Sequence, residues 1–217
     1  MPQDSPPRIP RRARQPRGGT TARGAKRRAE LIAVAALLFA DRGYRGVGVG
    51  EVAQRAGITE PGLLYHFGTK EGLLHAVIDQ RDAASREFAA ELARIGGVDA
   101  IRQLPAFARR NQAAPHLVRL FAVLLTENLD PAAPAHDHFV TRYRQLRADI
   151  AGILGTGRDR GEFRADLDPG VKALEILAFI DGLHTQWLLD PEAIDLTGAV
   201  ESYTVALVRD LTDGAGG

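Results

Sequence analysis

The chain has 217 residues, 45% hydrophobic and 25% charged, as expected for a soluble protein able to bury a substantial core. No apolar run approaches the roughly 20 residues that cross a bilayer, and the arginine-rich N-terminus lacks the apolar stretch of a secretory leader. Cysteine is absent, which excludes disulfides and thiolate metal sites and fits a reducing, cytoplasmic compartment.

The formal net charge of +1 conceals a split. Residues 1–28 carry nine basic side chains against Asp4 alone, so the remainder is acidic. Residues 1–24 also hold Pro2, Pro6, Pro7, Pro10 and Pro16 and show no helical or strand period. This composition predicts a basic arm that is disordered in the free protein.

A first helix is predicted from about Ala25 to Asp41. Leu31, Val34, Ala35, Leu38 and Phe39 form one apolar stripe at 3.6-residue spacing, and Gly43 stops it. Two short helices follow between about Val49 and Phe67, joined at Gly57. Val52 and Ala53 lie on the first and Leu63 on the second, the spacing of a helix-turn-helix, with glycine where the turn demands a positive φ. Thr59 is the expected cap of the second short helix, and Pro61 suits its first turn. Thr69 caps a longer helix from Lys70 to about Ile95, ended by Gly96-Gly97.

The helical pattern continues to the end. One helix is predicted over Asp99–Asn111, disturbed at Pro105, and another from Pro115 towards Asn128. A long amphipathic helix covers His136–Arg160. Asp168-Pro169 opens a helix to about Leu189, and a last one spans about Leu196 to Leu211. No strand pattern or internal repeat is present. The fold class is all-α, with residues 1–24 as basic arm, 25–70 as DNA-binding domain and 71–217 as a helical domain.

Phe39-x-x-x-Gly43-Tyr44 together with Tyr65-His66-Phe67-x-x-Lys70-Glu71 resembles the TetR family of bacterial transcriptional regulators. The resemblance implies that Tyr65 and Lys70 hold DNA phosphates, while Glu60, Gly62, Leu64 and His66 lie in or beside the major groove. Thr59 caps this recognition helix, and Arg45 and Arg55 are further phosphate candidates from charge and position. A packing role for His66 against the first helix and a solvated Arg55 are the structural alternatives.

The chain departs from the family pattern in three places. Val47-Gly48 stands where relatives commonly carry two hydroxyl residues, so a helix cap worth on the order of 1 kcal/mol is missing. Glu60 opens the recognition helix, where phosphate repels it, unless it accepts a hydrogen bond from a cytosine amino group. Gly62 and Leu64 offer no side-chain hydrogen bond to bases, although Leu64 can touch a thymine methyl.

The helical domain resembles the family's ligand-binding and dimerisation part more loosely. Asn111, His116, Glu127, Asn128, His184 and Gln186 are candidate polar pocket liners, with Phe107, Phe121, Phe179 and Trp187 as apolar walls. The resemblance implies a homodimer paired through the last two helices, for which Leu177, Ile180, Leu183, Trp187, Tyr203, Leu207 and Leu211 are the interface candidates. His136-Asp137-His138 has i, i+2 spacing, so its rings diverge on a helix and a solvated helix start is expected there, not a metal.

No nucleophile elbow, P-loop or HExxH motif is present, and Gly46-x-Gly48-x-Gly50 follows no strand, so neither catalysis nor a cofactor is expected. The expected partners are double-stranded operator DNA, a second copy of the chain and a small-molecule effector. An interaction protein that kept the fold but lost operator binding is the competing reading.

The basic arm is either a solubilising extension or a DNA arm that supplies affinity the recognition helix lacks. Its position immediately before the DNA-reading segment favours the second. Deleting residues 1–24 is expected to weaken DNA binding and to flatten the slope of log K against log salt; an unchanged slope refutes the arm.

Overall fold

The computed structural model describes residues 22–213, and the arm reading lies outside them except for its last few residues. Among the described residues there are ten helices and no strand. They are α1 (Ala22–Arg42), α2 (Val49–Arg55), α3 (Glu60–Phe67), α4 (Lys70–Ile95), α5 (Gly97–Ile101), α6 (Leu104–Ala113), α7 (Pro115–Glu127), α8 (His136–Asp159), α9 (Pro169–Leu189) and α10 (Leu196–Thr212). Helix α1 begins at Ala22, inside the predicted arm. The single helix expected over Asp99–Asn111 is two, because Pro105 cannot donate within a helix interior and instead occupies the first turn of α6.

Side-chain caps set the starts of α3, α4, α9 and α10. Thr59 accepts from Gly62 N–H, Thr69 from Gly72 N–H, and Asp168 from both Gly170 and Val171 N–H. Between α2 and α3, Gly57 takes φ +68°, and its neighbour Ile58 donates its N–H to Ala53 O at 3.0 Å. That tight turn lets Val52, Ala53 and Leu63 close over one another in the core.

The largest core cluster does not respect the expected boundary near residue 70. Leu31, Ala35 and Phe39 of α1, Val52 of α2 and Leu63 of α3 join Leu73, Leu74 and Val77 of α4. Leu120 and Leu124 of α7 and Phe139 of α8 complete the same cluster. Helix α1 packs along α7 as closely as along any neighbour. Two further clusters sit between α5, α8, α9 and α10 and between α6, α7, α9 and α10.

One close approach is decisive at the far end. Phe163, almost fully buried, lies against Gly157 of α8, where an added Cβ would run into its ring. Gly157→Ala is expected to destabilise the protein by about 1–3 kcal/mol through overpacking. Gly152→Ala, on the same helix with open space around it, should instead stabilise by up to about 1 kcal/mol. Urea unfolding followed by far-UV circular dichroism at fixed protein concentration checks the opposite signs.

Candidate nucleic-acid interface and ligand cavity

Buried Leu63 anchors α3 to the core, and this fixes which of its residues face out. Thr59, Glu60 and Tyr65 are exposed, Tyr65 to 88%, while Gly62, Leu64 and His66 are half-buried. An aromatic ring so exposed on a short, well-anchored helix has little to gain from the monomer's own core. Thr59 Oγ1 accepts from Gly62 N–H at 3.3 Å, the expected cap. At the start of α2, Gly48 supplies no side-chain cap.

Other contacts steady α2 and α3. Arg42 at the end of α1 pairs with Glu51 of α2. Arg27 donates to Ala56 O at 2.9 Å, satisfying a carbonyl at the end of α2. Arg28 lies 4.9 Å from the centre of the Phe67 ring, and Lys70 Nζ lies 4.4 Å from that of Tyr44. Arg45 and Arg55 are exposed. Thus Arg27 and Arg28, which the sequence reading left out as site candidates, sit against the helix-turn-helix. The basic run Lys26-Arg27-Arg28 on the first helix was the available signal.

Glu127 is not a pocket liner. Its carboxylate accepts the backbone N–H of Tyr44 at 2.6 Å and that of Arg45 at 3.3 Å, and so it holds the turn between α1 and α2. Asn128 is likewise internal scaffolding. Its Nδ2 donates to Leu124 O at 2.7 Å and its Oδ1 accepts from Ala135 N–H at 2.9 Å.

A cavity of about 180 Å³ lies between α4, α6, α7, α8 and α9. Of the pocket candidates, Phe107, Phe121 and His184 line this cavity, and Asn111 reaches it indirectly through a 3.0 Å hydrogen bond to His184. The other pocket candidates lie elsewhere. His116 and Trp187 border a separate surface hollow beside α1. Phe179 stacks on Tyr203 with ring centres 3.7 Å apart, and Gln186 is exposed. Helix α9 is apolar on several faces, so composition alone could not say which face looks into the cavity.

The sequence reading missed a charged cluster beside the cavity, which shares Arg81 and Arg142 with the cavity lining. Asp82, its side chain only 2% exposed, pairs with Arg81 at 3.0 Å, Arg142 at 2.8 Å and His138 at 3.2 Å. Burial pushes the Asp82 carboxyl up, but the His138 hydrogen bond and the two guanidinium groups outweigh it and hold the group below its ordinary value. Arg81 and Arg142 lie 4.2 Å and 5.2 Å from the centre of the Phe121 ring. Tyr143 donates its hydroxyl to Asp181 at 2.8 Å; burial raises the pKa of both. Burial, helped by Arg81, lowers His184 to about 4, so this imidazole is neutral at physiological pH. His138 is therefore a partner of Asp82, and His136 Nδ1 lies 3.0 Å from Asn128 O, so neither forms a solvated helix start.

The interface candidates also need correction. Ile180, Trp187, Leu207 and Leu211 are buried within the monomer, and Leu177 and Ile180 line the cavity. Leu183 and Tyr203 are only half-exposed. The apolar surface of the same two helices runs instead through Val171, Leu174, Ala178 and Leu189 of α9 and Val205 of α10. An apolar helix can bury only one side in its own core, and the sequence pattern filled both.

Residues 31–77 match the family model for bacterial regulatory proteins of the tetR family, and residues 130–214 match that for the C-terminal part of BetI-type transcriptional repressors. The HTH-type transcriptional repressor KstR2 of Rhodococcus jostii is 31% identical over 152 residues, 65% of this chain and 70% of that protein. The HTH-type transcriptional regulator TtgR of Pseudomonas putida is 25% identical over 183 residues, 81% of this chain and 87% of that protein. Among solved structures, the transcriptional regulator FadR from Bacillus subtilis in complex with stearoyl-CoA is similar in fold. Its TM-score is 0.72 at 18% identity, covering 84% of this chain and 98% of that one. The matched segments fall on both halves of the fold, and the chain belongs to the TetR family of bacterial transcriptional regulators.

Proposed function

We propose that the chain is a repressor that grips a palindromic operator as a homodimer and lets go when a small molecule enters the cavity. One observation carries the ligand response: α7 touches both ends of the molecule. Its Val118, Phe121, Ala122 and Leu125 line the cavity, while its last residue, Glu127, holds the backbone of Tyr44 and Arg45 beside the helix-turn-helix. A ligand that shifts α7 therefore moves the turn that feeds α2 and α3. Such a ligand changes DNA affinity only by its differential affinity for the two arrangements. The relative FadR, in complex with stearoyl-CoA, supports a cavity of this fold as an effector site.

On the DNA side, Tyr65, Lys70, Arg45 and Arg55 contact phosphates, with Arg27 and Arg28 beside them, and Glu60, Gly62, Leu64 and His66 face the groove. Thr59 fixes the helix start. Phosphate contacts set the register, and the few groove-facing groups supply sequence information. A dimer doubles that reading by presenting α3 to two half-sites a helical turn apart. The exposed face of α9 and α10, with Leu174, Ala178, Leu189 and Val205, is the surface through which the copies pair. Gly182 on that face has open space at its Cβ position, so two α9 helices can approach closely. The protein works by binding rather than catalysis, and it acts in the cytoplasm. None of the described helices is long and apolar enough to cross a membrane.

Selection of sites from randomised duplex DNA with the full chain, at two salt concentrations, is expected to return a palindromic consensus. Enrichment without a consensus, lost at the higher salt, would instead favour the interaction-protein reading with a basic arm. In the same assay Glu60→Ala should relax the preference at one base pair per half-site. An unchanged consensus with tighter binding would show Glu60 to be only a repulsive charge.

Glu127→Ala tests the connection between the two ends. Loss of hydrogen bonds to a charged carboxylate is expected to cost about 1.5–3 kcal/mol in urea unfolding, and operator affinity should fall with it. Unaltered operator affinity in the folded variant would rule out the α7 connection.

A further inference from the structure

The cavity's walls say more about what it takes than its position does. Most of the lining is apolar, including Phe88, Phe107, Phe121, Leu104, Ile150 and Ile180. Phe88 and Phe107 are stacked with ring centres 5.7 Å apart and planes 20° from parallel. At about 180 Å³ the cavity is only somewhat larger than the roughly 150 Å³ that admits benzene in an engineered apolar cavity. A single ring or a short chain fills it.

The polar wall is short of acceptors. Arg142 has only 11% of its side chain exposed, and its Nε–H has no hydrogen-bond partner. It is the one buried side-chain polar atom left in that condition among the described residues. A buried donor without a partner is destabilising, the more so on a charged group. Each carboxylate nearby already serves another donor. Asp82 serves Arg81, Arg142 and His138; Asp181 accepts from Tyr143; and Asp149 accepts from Gln145 at 2.8 Å. His184 is held at Asn111. An amine would bring further donors to a wall that already has one too many. A carboxylate brings two acceptor oxygens and a charge opposite to that of the two guanidinium groups that share Asp82.

Location gives the orientation. Arg142, Ser85, Ala89, Leu146 and Asp149 line both the cavity and an open groove between α4 and α8. Arg142 therefore stands at the mouth. Asp181 lies in the cavity wall but not in the groove, and the carboxylate that shares the mouth with Arg142, Asp149, is hydrogen-bonded to Gln145.

We propose that the effector is a small carboxylic acid with a compact apolar body, seated body-first among the phenylalanines with its carboxylate on Arg142 at the α4–α8 mouth. This inference rests on the cavity being the effector site.

Calorimetric titration of the full chain with phenylacetate, phenylacetamide, phenethylamine and ethylbenzene tests it. Phenylacetate should bind at least about tenfold more tightly than its amide or amine, as a charge-assisted contact in a buried site implies. Arg142→Met should abolish that preference while ethylbenzene still binds, which also reports an intact cavity. Arg142→Lys keeps a cation opposite Asp82 but lacks the Nε–H, and should lose most of the carboxylate advantage. If hydrocarbon or amine binds as tightly as phenylacetate, or if the preference survives in both variants, the head-group assignment is wrong and the effector site stands. If none of the four probes binds, the cavity itself is not the effector site and both readings fall.

Discussion

Asp82 is the constraint around which the helical domain is arranged. Moving an ionised carboxylate into the interior costs several kcal/mol even after relaxation, so its partners must be placed well. Here they come from two helices: Arg81 beside it on α4, and His138 and Arg142 across the gap on α8. Once the ion cluster is formed, the distance and rotation between α4 and α8 are fixed. The two guanidinium groups then lie against Phe121, which brings α7 into the same arrangement. Replacing the cluster with packed hydrocarbon would give comparable stability in many proteins. What it supplies here is a single register for three helices that also form the cavity walls.

The DNA-reading end shows a different balance. Helix α2 starts without a side-chain cap, and α3 begins with an acidic residue. The missing restraint is replaced from outside the motif. Arg42 pairs with Glu51, Arg27 reaches the carbonyl at the end of α2, and Glu127 gathers the amides of the preceding turn. Each of these long-range contacts comes from α1 or α7. The motif is steadied by its neighbours more than by its own caps, which makes its position responsive to them.

How much of this was legible in the sequence depends on the kind of signal. Helix positions followed from local chemistry: Thr59, Thr69 and Asp168 cap because their oxygens reach backbone amides two or three residues on. Apolar periodicity identified α1, because only one face of that helix is apolar. The same reasoning failed on α9, where apolar residues surround the helix and inward and outward faces look alike. Pro105 was read as a disturbance and is in fact a start, since both outcomes place the ring where no N–H is needed. The charged cluster beside the cavity was invisible for another reason. Arg81, Asp82, His138 and Arg142 are adjacent only after α4 and α8 pack, and each alone reads as an ordinary solvated charge.

The shared core of α1 and α7 bears on how such proteins can be recombined. Leu31, Ala35 and Phe39 share one cluster with Leu120 and Leu124. A cut at the start of α4 would therefore sever an interior rather than a linker. A DNA-reading segment transplanted onto another regulator's sensor would arrive with an apolar flank shaped for this chain's α7, and without the carboxylate that holds its first turn. Sensor and reader are inherited here as a matched pair. Exchanging specificities between relatives requires carrying α7 along with α1, so the natural unit of exchange is discontinuous in sequence.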